Sequence, residues 1–326
     1  MAEEDLTTPG TGNEALLAEI RETYRYYDDR WKDWRKERGT DMRYLSGDPW
    51  EEEDRKARED ANRPCISHDE LTQYANQAIN NVRQNKRGIK VTPQGNGASD
   101  KSAEFRMNHI RAIEYKSKAQ GAYVTAFENM ISGSYGFVRI GRRFVSNDAS
   151  KKDASAFDQE ITISAILNPD SVLYDPDCKE PDWSDAKKVI VVDPLPKAQF
   201  KAEYPHATVK DFGPEQMRIA PDWIADKTVV VAEYWRVETT RSRIYLLASG
   251  QVVDDLKKGQ NAIKSRVIES KKVVQYITNG IEILDRNEQP GEYIPIVPFI
   301  GKEMWLTKAN VSKRILLSLI RLARDP

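Results

Sequence analysis

The sequence predicts an α+β protein, and three observations carry that prediction. Over residues 14–132 apolar side chains recur at three- and four-residue steps, the period of helices with one buried face. After "SGSYG" the pattern changes to β-branched and alternating runs between turn signals. The linker "DFGPEQMRIAPDW" then separates two such β-rich regions.

The first thirteen residues are acidic, carry Gly and Pro and lack periodicity, so they read as disordered. A helix follows over 14–39, where Leu16, Leu17, Ile20, Tyr24, Tyr27, Trp31 and Trp34 form an apolar stripe on a charged helix. The Gly47-Asp48-Pro49 turn leads to a second charged helix that stops near Arg63-Pro64. Ser67 followed by Glu70 has capping-box spacing and opens a third helix, with Leu71, Tyr74, Ala75, Ala78, Ile79 and Val82 on its buried face. "GIKVTP" (88–93) reads as a short strand and "QGNGASD" as a loop. Helical pattern returns over 100–132, with Phe105, Ile110, Ile113, Tyr123, Phe127 and Met130 pointing inward.

Strands are expected at 136–145, 160–166, 171–175 and 187–193, then a short helix near 197–204. Beyond the linker, strands are expected at 227–239, 243–253, 271–284 and 293–301, with a short charged helix near 253–264. The blocks drawn from this pattern are a helical and sheet body at 14–215, a linker at 216–226, a smaller β-rich module at 227–305 and the start of a terminal helix at 306–326. There is no internal repeat and no coiled-coil heptad.

Composition excludes several classes. With 50 basic against 51 acidic residues, any nucleic-acid contact must come from a local patch. Two cysteines, Cys65 and Cys178, provide no disulfide framework and no zinc pattern, which points to a reducing compartment. No apolar run has the length of a membrane span, and the N-terminus has no basic-then-apolar signal pattern. The sequence reading is a soluble intracellular protein without membrane contact.

Catalytic constellations are weak. His68, His109 and His206 are far apart, and a Cys65/His68 pair at a helix entrance is better read as ordinary packing or exposure. Asp175, Asp177, Glu180, Asp182 and Asp185 cluster in "NPDSVLYDPDCKEPDWSDA". However, Ala186 occupies the twelfth position of a loop starting at Asp175, where an EF-hand needs Glu. A solvated or capping loop is the reading preferred over calcium. "GSYGFVRIGRR" fits neither GxGxxG nor GxxxxGK[ST], and GxSxG and HExxH are absent. The expectation is therefore no enzyme, no cofactor and no metal. One local bias remains, between positions 241 and 272. Eight basic residues (Arg241, Arg243, Lys257, Lys258, Lys264, Arg266, Lys271 and Lys272) stand against Asp254, Asp255 and Glu269. They are the candidate partner or DNA contact, set against a merely solvated face.

Four stretches together resemble the portal proteins of short-tailed, headful-packaging phages. They are "DRWKDWRKERGTDMRYLSGDPWEEEDRKAREDANRP", "NNVRQNKRGIKVTP", "FDQEITISAILNPDSVLYDPDCKEPDWSDAKKVIVVD" and "GEYIPIVPFIGKEMW" before a helix ending "RLARDP". The resemblance covers about residues 20–326. It implies a non-enzymatic subunit of a homo-oligomeric ring, usually of twelve, at one capsid vertex, assembled in the host cytoplasm. Double-stranded DNA would pass through the ring, which would dock the terminase large subunit, tail adaptor proteins and capsid or scaffold proteins. It also implies a wing for 14–215 and a clip for 227–305. Family members continue past the "RDP" junction into a channel-lining stem helix. Asp325-Pro326 thus reads as the N-cap and first position of that helix in a truncated chain, with Ile315, Leu316, Leu319, Ile320 and Leu322 short of packing surface. The alternative is a nucleic-acid-binding module unrelated to capsids that uses the basic 241–272 segment.

Overall fold

A computed structural model describes residues 11–86, 88–95, 97–145, 154–207, 218–225, 227–247, 250–254, 262–308 and 311–324. The helices are α1 (Thr11–Leu45), α2 (Glu52–Asp60), α3 (Leu71–Gln84), α4 (Asp100–Ser117), α5 (Ala119–Gly133), α6 (Lys197–Glu203) and α7 (Leu319–Arg324). The strands are β1 (Tyr135–Phe144), β2 (Gln159–Ile166), β3 (Val172–Tyr174), β4 (Lys188–Pro196), β5 (Thr228–Leu247), β6 (Val252–Val253), β7 (Ala262–Thr278), β8 (Ile283–Gln289), β9 (Ile296–Ile300), β10 (Lys302–Lys308) and β11 (Val311–Leu317). The mixture is α+β, as the sequence pattern requires. Among the described residues no helix is long and apolar enough to cross a membrane.

The chain forms two compact units from interleaved segments. One comprises Met1–Trp31 and Ser171–Ile294, the other Lys32–Asp170 and Pro295–Pro326. The sequence blocks ran linearly along the chain, because pattern alone cannot show that residues after 294 return to pack with residues before 170.

In the first unit the sheet order is β3-β4-β5-β7-β8, with β6 on β5, and every pairing is antiparallel. Val172, Leu173, Val189, Ile190, Val229, Ala232, Tyr234, Val273 and Val274 are buried on it. Leu17, Ile20, Tyr27 and Trp31 supply the buried stripe of the α1 portion in this unit. The Trp31 indole N–H donates to the Tyr174 carbonyl at 2.8 Å, and its ring meets Trp183 edge-on at 6.3 Å. The turn between β7 and β8 requires glycine. Gly280 has φ +82°, and a Cβ there would lie 2.7 Å from the Trp223 indole.

In the second unit a sheet ordered β2-β1-β9 pairs antiparallel throughout, and β10-β11 forms a separate hairpin. Gly136 admits α5 closely, since a Cβ there would lie 2.1 Å from the Ala126 carbonyl oxygen. The buried stripe of α1 continues as Trp34, Arg38 and Asp41.

Several local expectations are corrected. α1 extends to Leu45 because its stripe goes on with buried polar side chains. Asp69, not Ser67, caps α3: its Oδ1 accepts from the N–H groups of Leu71 and Thr72 at 3.1 and 3.0 Å. The Ser67 hydroxyl instead donates to the Gly47 carbonyl at 2.7 Å. Residues 88–93 form no strand. Lys118, in the left-handed region at φ 52°, separates α4 from α5, and Phe105 and Tyr74 are exposed. The stretch 302–317 is a hairpin rather than a terminal helix, which begins only at Leu319. Leu316 and Ile320 are buried, Ile315 and Leu319 half-buried, and Leu322 is exposed. Of the charged helix expected near 253–264, Val253 and 262–264 are strand. Residues 255–261 lie outside the described residues, as do Asp325-Pro326 and most of 1–13.

Candidate functional site

The basic segment folds into the long hairpin of β5 and β7. The sequence pattern broke the first strand at 240–242. "ETTRSR" holds no Gly or Pro, and β-branched Thr239 and Thr240 carry the strand through without interruption. Pairing runs from Ala232↔Thr278 to Leu246↔Lys264. The lower half is covered: β4 pairs with β5 up to Arg236, and β8 pairs with β7 from Val273 on. Above Glu238 and Lys272 the two strands form a ribbon, and among the described residues β6 alone pairs beside it, at Tyr245 and Leu246. Burial follows this division. Val229, Val231, Tyr234, Trp235, Val273, Val274 and Tyr276 are buried, whereas Thr239–Arg241 and Ile263–Val267 are exposed. Eight residues of strand span on the order of 25 Å.

The register divides the basic residues between two faces. Directly opposed residues of an antiparallel pair share a face, and side chains alternate along each strand. Arg241, Arg243 and Lys271 share one face with Glu269, while Lys264, Arg266 and Lys272 share the other with Glu238. Three of them have partners. Arg241 Nε is 2.7 Å from Glu269 Oε1, Lys272 pairs with Glu288, and Lys271 Nζ sits 6.0 Å from the Tyr293 ring centre. Arg243, Lys264 and Arg266 are exposed and have no ion-pair partner among the described residues. Lys257 and Lys258 lie outside the described residues. The sequence cluster is thus a two-sided basic ribbon and not one flat patch.

The other sequence candidates take simpler roles. Asp175 accepts from the N–H groups of Asp177 (3.0 Å) and Lys187 (3.2 Å). Asp185 accepts from Lys179 (2.7 Å) and Glu180 (3.3 Å), and Asp182 from Ser184 (3.1 Å). These carboxylates tie the loop's own backbone. His68 is exposed with Nε2 3.7 Å from Glu70, and His109 stacks on Phe105. Cys178 is buried with Sγ 3.9 Å from the Trp183 carbonyl oxygen, while Cys65 is half-buried.

Two polar clusters escaped the sequence pattern. In the first unit Glu19 accepts from Lys188 at 2.7 Å, Tyr234 at 3.0 Å and Arg236 at 3.1 Å. Burial pushes the Glu19 carboxyl up, but the Lys188 and Tyr234 hydrogen bonds and the nearby cations outweigh it and hold the group below its ordinary range. In the second unit Asp41, fully buried, accepts from the Ser318 hydroxyl at 2.7 Å and lies 3.4 Å from Arg321 and 2.8 Å from Arg324. Glu37 adds a 2.6 Å contact to Arg324, so α7 is gripped by an i, i+4 acid pair on α1. A charged residue on the extension of an apolar stripe was the available signal.

These features define an α+β protein that presents an extended, basic two-stranded ribbon. The comparisons give the family. The profile of the Phage P22-like portal protein family matches residues 21–326, and the chain belongs to that family. A portal protein from Acyrthosiphon pisum secondary endosymbiont phage 1 is 24% identical over 261 residues, covering 74% of this chain and 36% of that protein. The chain therefore spans about a third of that relative's length.

Proposed function

We propose that the chain is a structural subunit of a phage portal ring, the head-tail connector through which double-stranded DNA is packaged and ejected. The observation that carries this reading is the family match over 21–326. The ring is a homo-oligomer, twelve subunits on the family pattern, set at one vertex of the capsid and assembled in the host cytoplasm. Terminase large subunit, tail adaptors and capsid or scaffold proteins dock on it. The chain's own contribution is geometric, and ATP hydrolysis belongs to the terminase.

Ring formation by identical subunits needs head-to-tail contacts that close by rotation. α2 favours such a use. Its nine residues bury nothing, yet it is stapled by Arg55 to Asp48, by Arg58 to the Pro64 carbonyl at 2.9 Å, and by Arg58 over the Trp50 ring at 4.6 Å. A preorganised arm that contributes no core is suited to a neighbouring subunit. The basic ribbon serves as a docking element for partner proteins.

The nucleic-acid alternative is weaker, because a duplex laid on one face of the ribbon meets only half of the described basic residues. Particle imaging of the purified protein tests the ring reading. Closed rings of uniform rotational order are expected; monomers or open chains at every concentration would overturn it.

A further inference from the structure

We infer that the outer edge of β7 over 263–270 accepts an extended, acidic segment of a partner protein as an added strand. The inference rests on the docking role just proposed for the ribbon and specifies its chemistry. β5 satisfies one edge of β7 along this stretch, but β8 joins the other edge only from Val273 onward. Among the described residues nothing pairs with that edge over 263–270. Alternate residues there turn backbone N–H and C=O groups outward, the arrangement that strand addition uses.

Charge selects the occupant. The described ribbon carries six basic residues and two acidic ones, Glu238 and Glu269, and Glu269 is already matched by Arg241. A second copy's ribbon would bring like charge against like, and lysine on an exposed edge opposes self-pairing. An acidic strand meets neither obstacle. The division of charge between the faces favours a strand over a phosphate backbone. An added strand lies in the plane of the ribbon and sends successive side chains to opposite faces. Glutamates on one face reach Lys264 and Arg266; on the other they reach Lys271, with Arg243 one strand further in. A DNA duplex resting on either face collects one set and leaves the other in water. Ile263 and Val267, 62% and 54% exposed on the same strand, offer apolar contact between the charges.

The test uses the full chain and a fluorescent peptide that alternates glutamate with valine and threonine. Its controls are the lysine counterpart, a twin N-methylated at alternate backbone positions, and a short DNA duplex. The acidic peptide is expected to bind and to slow amide exchange in 263–270. The N-methylated twin should bind at least about tenfold more weakly, since it keeps the charge and loses the hydrogen bonds. K264E/R266E should weaken the peptide to the same degree, with melting behaviour unchanged, because both side chains are exposed. Equal binding of the methylated twin would reduce the site to diffuse charge and overturn strand addition. Preferential binding of the duplex through Lys264 and Arg266, or no binding of any probe, would overturn it as well. A chain that closes into rings but ignores the peptide refutes this inference alone, whereas peptide binding without rings refutes the ring reading.

Discussion

At the scale of single residues, the largest single-site effects are expected at groups that the hydrophobic pattern could not reveal. Asp41 is fully buried between Ser318, Arg321 and Arg324. Asp41→Ala takes the buried one of their two acidic partners from Arg321 and Arg324, each about a tenth exposed, leaving them only the half-exposed Glu37, and should cost about 3 kcal/mol in urea denaturation. Gly280→Ala forces a Cβ into the Trp223 indole at a positive φ and should cost about 2 kcal/mol by the same measurement. Glu19→Gln should cost less, about 1 kcal/mol at neutral pH, because a side chain one-third exposed is partly screened. The sign of its pH dependence is fixed by the lowered folded pKa. The stabilisation is fully present above the ordinary glutamate value of 4.5 and is lost as pH falls through the folded value below it. The stability gap between wild type and Glu19→Gln should therefore close in that acid window. A gap that stayed open there would exclude Glu19 as its source. None of these three residues is picked out by the apolar periodicity itself. Glu19 and Asp41 look like ordinary charges on a charged helix, and the need for Gly280 arises from an indole fifty-seven positions away.

At the scale of elements, legibility followed the strength of local signals. The apolar stripe announced α1 as far as Trp34, where the buried positions turn polar and the pattern stopped. The β-branched runs announced β1, β2, β4 and the base of β5 and β7. What failed was length and competition between signals. The polar stretch 240–242 fell between two expected strands, yet β5 crosses it because β7 pairs with it residue for residue. Ser67 had the right spacing for a cap, but Asp69 sits closer to the first turn and takes both N–H groups. Asp69→Ala should accordingly lower the melting temperature more than Ser67→Ala. The apolar residues Ile315, Leu316 and Leu317 read as helix. They fold as strand because β10 pairs with them, and periodicity cannot separate these outcomes in so short a run. Amides of 239–244 and 263–270 should exchange faster than those of 229–236 and 273–278, since among the described residues the former lack a second neighbour and buried apolar cover. Uniform slow exchange along both strands would mean that the ribbon is held by contacts this pairing does not include.

At the scale of the whole molecule, the α+β class was legible and so was the family, since the motifs that carry the resemblance lie throughout the stretch matched by the family profile. The candidate site was half legible. The charges of 241–272 were visible, but their division between two faces depends on pairing register, which only the folded hairpin supplies. The interleaving of segments into two compact units was not legible, because it depends on contacts between residues more than a hundred positions apart. The portal role proposed above would place the chain at a capsid vertex, and the measurement that tests this most directly is its location in virions. Antibody to this chain, imaged by cryo-electron microscopy on partly disrupted particles, should label a single vertex at the head-tail junction. Label at every vertex, or none in purified particles, would contradict the account.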